Sequence, residues 1–139
     1  MGGASQSAYG TETDVIRAWI RPNGAVLTAI PGVLSTEDLG GGAVLASLKR
    51  YEPFTAAIQD LVDAGAEIVE IAGGRRLVIQ VIAPEAWDGA LWGDVVFAWP
   101  ILTEPGQQRV ALEVAVHRLD EVIPALRASG ARIEHLYDY

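Results

Sequence analysis

IQDLVDAGAEIVEI (58–71) and IPALRASGARIEHL (123–136) decide how this chain is read. Ile58, Leu61, Gly65, Ala66 and Ile68 fall on Ile123, Leu126, Gly130, Ala131 and Ile133, and Ile71 falls on Leu136. Each stretch reads as a helix stopped by glycine and followed by a strand. Phe54, Ile58, Leu61 and Val62 make one apolar helical stripe, and Leu119, Val122, Ile123 and Leu126 make the other. Pro53 suits a first helical turn, Asp120 an N-cap, and Gly65 and Gly130 the left-handed residue that ends a helix. Pro124 has no N–H, so it is comfortable only in a first turn.

The likeness extends outward. GAVLASLKR (42–50) matches RVALEVAVHR (109–118), GAVLTAIP (24–31) matches GDVVFAWP (93–100), and VIRAWI (15–20) matches VIQVIA (78–83). The expected unit is strand, strand, strand, helix, strand, written twice (14–72 and 76–138). Strands are expected at 14–21, 24–30, 43–50 and 66–72, then at 76–83, 94–100, 109–118 and 131–138. Helices are expected at 53–64 and 120–129. RPNG (21–24) reads as a tight turn, and PGVLSTEDLGGG (31–42) as a long loop ended by glycines. The fold expected is α+β: a tandem repeat forming a mostly antiparallel curved sheet with two helices about a pseudo-twofold axis. One domain, 14–139, follows a flexible tail at 1–13.

Composition narrows the function. The chain has 139 residues, half of them apolar, and a formal net charge of −8. A nucleic-acid surface needs clustered basic residues, and here only Lys49-Arg50 and Arg75-Arg76 are adjacent. With no cysteine and two histidines, no thiolate or histidine-rich metal site is available, and no cofactor motif is present. No apolar run has the roughly 18 residues of a membrane span. A cytoplasmic protein with neither nucleic-acid nor membrane partner is expected.

Read from the third strand, the order strand, helix, strand, strand, strand over 43–100, and the phrase VALEVAVHRLDEVIPALRASGARIEH, resemble glyoxalase/bleomycin-resistance (vicinal oxygen chelate) modules. That resemblance implies paired modules around a cleft, with the 109–138 module completed by strands from 14–30. The positions that hold metal ligands in that family are here Gly42, Arg109, Ile30 and Trp99, so its metal chemistry is not implied. In layout the chain is similar also to tandem strand-helix-strand-strand effector-binding domains of transcription regulators, and to ferredoxin-like and amino-acid-binding regulatory domains.

Strand alternation nominates a site. Val110, Leu112, Val114 and Val116 form the face that goes under a helix, leaving Glu113, Ala115 and His117 opposite. An apolar-walled cleft between the halves is expected from Arg17, Trp19, Gln80, Phe97 and Trp99, with Trp87 and Trp92 of PEAWDGALWGD (84–94) as a lid or partner contact. That loop reads as the one asymmetry between the repeats. The expected role is binding of a small apolar or aromatic molecule, cationic ones being favoured by the acidic chain. The alternative is a metal-free isomerase, lyase or hydrolase using His117 or His135 with Glu113 or Glu70, since imidazole titrates near neutrality. A third reading is an interaction module acting as a homodimer, with or without strand exchange.

Overall fold

The computed structural model describes residues 15–137, so the tail at 1–13 and the chain ends at Asp14, Asp138 and Tyr139 lie outside the described residues. Eight strands are β1 (Val15–Arg21), β2 (Val33–Gly40), β3 (Ala43–Lys49), β4 (Glu67–Ile71), β5 (Arg76–Pro84), β6 (Asp94–Pro100), β7 (Gln107–Ala115) and β8 (Arg132–Leu136). Two helices are α1 (Glu52–Asp63) and α2 (Leu119–Ala128). The fold is α+β. In place of one curved sheet there are two antiparallel sheets of four strands, ordered β2-β3-β1-β4 and β6-β7-β5-β8. Both halves therefore carry the same unit with the same strand order, and every strand pairs within its own half. β1 pairs with β3 and β4, so 14–30 does not complete the second half, as the resemblance to chelate modules implied.

The correspondence between halves shows in detail. A β-bulge interrupts the β1–β4 ladder between Trp19 and Ile20, and another interrupts β5–β8 between Gln80 and Val81. Ile16, Ala18 and Ile20 thus correspond to Leu77, Ile79 and Val81, all buried, which is two residues away from the sequence match of 15–20 with 78–83. The other outer match fails. Residues 24–30 form no strand: after a turn with Asn23 and Gly24 at positive φ, Leu27–Ala29 coil as a 3-10 turn that buries Leu27 and Ile30. The second strand lies instead in the expected loop, at VLSTEDLG. It is an edge strand open to water along seven of its eight positions, so it needs no apolar alternation and shows none. Gly40 to Gly42, all at positive φ, turn it back into β3.

Packing unites the halves. One apolar cluster draws on both sheets and both helices, from Ile16, Leu48 and Phe54 to Leu112, Ile123 and Leu136. The expected helical stripes are buried, and each helix begins and ends one residue earlier than expected. Residues 116–118 leave the strand as a 3-10 turn that runs into α2, so Arg118 stands at the N-cap and Asp120 falls inside the first turn. Pro124 consequently lies within α2, beyond its first turn, where it supplies no N–H to the carbonyl of Asp120. Among the described residues no helix is long and apolar enough to cross a membrane.

Candidate functional site

Each sheet turns one face to the shared core and leaves the other open. The open face of the second sheet sets two stacked aromatic rings beside a hydrogen-bonded polar chain. In register across it stand Phe97, Ala111, Gln80 and His135, and beside them Trp99, Arg109 and Ile82. Phe97 and Trp99, two apart on the edge strand β6, stack with ring centroids 4.3 Å apart. The Trp99 residue is 63% exposed, so one side of this aromatic platform is open to water.

A hydrogen-bonded chain adjoins the platform. Arg109 grips Glu134 through both ends of its fork, Nε to Oε1 at 2.7 Å and Nη2 to Oε2 at 2.9 Å. Gln80 Nε2 donates to the same Oε1 at 2.6 Å, and the Tyr137 hydroxyl donates to Gln80 Oε1 at 2.9 Å. His135 meets the Tyr137 ring edge-on at 4.4 Å. The Arg109 guanidinium holds the Glu134 carboxyl below the usual carboxylate range, against an opposing contribution from burial and with help from Gln80. Glu134 in turn raises the pKa of Arg109. These residues line a shallow, open hollow.

A pH dependence follows from the depressed value. The carboxylate is favoured in the folded state, so its stabilising contribution is complete above the ordinary glutamate pKa and is lost as pH falls through the lower folded value. An NMR titration of the side-chain carboxyl should place Glu134 lower in the native protein than in an Arg109→Gln variant. Equal values in the two proteins would show that Arg109 does not hold the charge.

The expected site residues are not all brought together. Gln80, Phe97 and Trp99 share this face, whereas Arg17 and Trp19 lie on the open face of the first sheet, Trp19 between Leu45 and Glu70. Trp87 and Trp92 pack against the core instead of forming a lid. Trp87 is tied down by its Nε1–H, which donates to Ser129 Oγ at 2.8 Å. Glycines let that loop press onto the sheet: a Cβ on Gly93 would stand 2.8 Å from the Glu113 carbonyl oxygen, and one on Gly89 2.9 Å from a Leu112 methyl. The loop is not an asymmetry either. Residues 22–32 make the matching link in the first half, with Leu27 and Ile30 buried and Gly32 against Ala57.

The expected histidine–carboxylate pairs do not form. His117 is exposed in the 3-10 turn, beside Val69, Arg75, Arg76 and Ala115 at the seam between the halves. The carboxylates meant for it are held by arginines, Glu113 by Arg76 at 2.7 Å and Glu70 by Arg75 at 3.1 Å. Arg76 also reaches Asp94 at 2.8 Å. His135 is separated from Ile133 by the bulge in β8, which turns Ile133 toward the core and pairs His135 with Gln80. Among the described residues neither histidine hydrogen-bonds a carboxylate, and no group of three or more His, Asp or Glu side chains is placed to hold a metal ion.

Sequence reasoning missed Arg109, Glu134 and Tyr137 as members of one network. The available signal was the pairing of a central-strand arginine with a glutamate next to a strand histidine, but the bulge hides their common face. Comparison with protein-family models, with curated proteins and with solved structures finds no significant match to this chain.

Proposed function

We propose that this protein is a binding module whose working surface is the open face of the second sheet, and that the surface takes a planar aromatic ligand. The observation that carries this reading is the Phe97–Trp99 stack, exposed on one side and flanked by the Arg109–Glu134–Gln80–Tyr137 chain. A π-face gains most from another laid flat on it or edge-on to it. The polar chain alongside offers donors and acceptors at fixed positions, which is how a mostly apolar site sets orientation. The acidic chain favours cationic ligands by long-range attraction. A hydrolytic or isomerising role has less support, because Glu113 and Glu70 are occupied by arginines and neither histidine has a carboxylate partner among the described residues.

The test is a titration with aromatic amines such as tryptamine and phenethylamine, followed by calorimetry and by the NMR signals of the Trp99 indole. Binding should perturb Trp99 and weaken by about tenfold or more in Trp99→Ala, while Trp19→Ala leaves it unchanged. Binding that survives Trp99→Ala and fails in Trp19→Ala would move the site to the other sheet.

A further inference from the structure

We infer that β6 is a self-association edge: two copies of this chain join by pairing their β6 strands antiparallel across a twofold axis. Each sheet has two edge strands. β4 and β8 are five residues long and lie against the other half, where the Leu136 N–H is already bonded to Thr55. That leaves β2 and β6, and these differ in charge. β2 carries Glu37 and Asp38 in mid-strand, the kind of charge that keeps an edge from pairing. β6 carries none after Asp94. From Val95 to Thr103 the chain has no ionisable side chain at all, in a protein of net charge −8. Asp94 itself is neutralised within its own chain by Arg76 at 2.8 Å.

Charge selects the occupant. Two copies of so acidic a chain repel one another over most of their surfaces, and this edge is where they can meet without opposing carboxylates. A basic peptide would find no unpaired carboxylate along the strand to hold it. Apolar surface is concentrated at the same place. Leu91, Val95, Val96, Trp99 and Leu102 are all large hydrophobics left exposed in or beside β6.

The backbone at Ala98 is set for the pairing. Ile101 N–H donates to the Gln107 carbonyl, so position 101 points its backbone toward β7. By strand alternation Pro100 and Ala98 then point theirs to the free side, where Ala98 offers both its N–H and its C=O and Pro100 its C=O alone. The interchain bonds therefore centre on Ala98, and Pro100 and the bulge at Val95/Phe97 limit the ladder on either side of it. Placing Ala98 opposite Ala98 of a second copy lets the two exchange N–H···O=C bonds. It also sets Phe97 and Trp99 against Trp99 and Phe97 of that copy on the open face. The two second sheets then form one eight-stranded sheet with a four-ring aromatic row, an isologous contact that closes at two subunits. The inference does not depend on ligand binding.

The experiment is light scattering on size-fractionated protein from 1 to 100 µM, with the full chain and with Ala98→Pro, Trp99→Lys and, on the other edge, Thr36→Lys. The expected mass for the unmodified chain is twice 14.8 kDa. Ala98→Pro and Trp99→Lys should each return the monomer mass, with circular dichroism confirming that they remain folded, and Thr36→Lys should stay dimeric. If Ala98→Pro does not fold, Trp99→Lys carries the test. A monomer mass for the unmodified chain at 100 µM overturns the inference. So does a dimer that persists in the folded β6 variants, or one that Thr36→Lys dissociates.

Discussion

Phe54→Ala should lower unfolding free energy by about 3–5 kcal/mol, the range for truncating a fully buried aromatic side chain and leaving a cavity. Phe54 is 0% exposed and sits near the start of α1, in the single cluster that joins both sheets. A domain of this size is stable by only about 5–15 kcal/mol, so the variant is expected near the threshold of folding at 37 °C. Urea denaturation should show a large drop in midpoint with little change in slope. Because the core is shared, tryptophans of both halves should report one transition. A loss below about 1 kcal/mol, or separate transitions for Trp19 and for Trp87 and Trp92, would contradict a single cooperative core.

Thr55→Val should cost about 1–3 kcal/mol although it conserves volume, because it leaves a buried N–H without an acceptor. Thr55 is the one buried polar residue among those described, and its Oγ1 accepts a hydrogen bond from the Leu136 N–H at 2.9 Å. That bond runs from α1 of the first half to β8 of the second. Its loss should speed hydrogen exchange at Leu136 above the rate expected from the change in global stability. Thr55→Ser, which keeps the oxygen, should restore slow exchange. If valine is tolerated with exchange unchanged, α1 and β8 are coupled by apolar contacts alone.

These two residues show how unevenly the sequence disclosed the site and fold. Phe54 was legible because a helix announces its buried stripe by local spacing. Thr55 was not, since its value lies in a partner 81 positions away. Alternation likewise put Gln80, Phe97 and Trp99 on one face, where they are found. It failed at β8, where the bulge opposite Gln80 and Val81 changes which side chains share a face and brings Glu134 to Arg109 and Gln80.

What the sequence by itself determined was the α+β class, the doubled unit, both helices and seven of the eight strands within a few residues. Those features follow from side-chain periodicity and from glycines at helix ends, which are properties of contiguous residues. Only the tertiary structure decided that VLSTEDLG is a strand, that Leu27 and Ile30 are core plugs, that Trp87 and Trp92 face inward, and that Glu113 and Glu70 belong to arginines. An edge strand wetted on both faces has no pattern to read, because its hydrogen bonds to β3 hold it and not burial. Inward or outward placement of a loop tryptophan, and the choice of an ion-pair partner, depend on which distant segment arrives alongside.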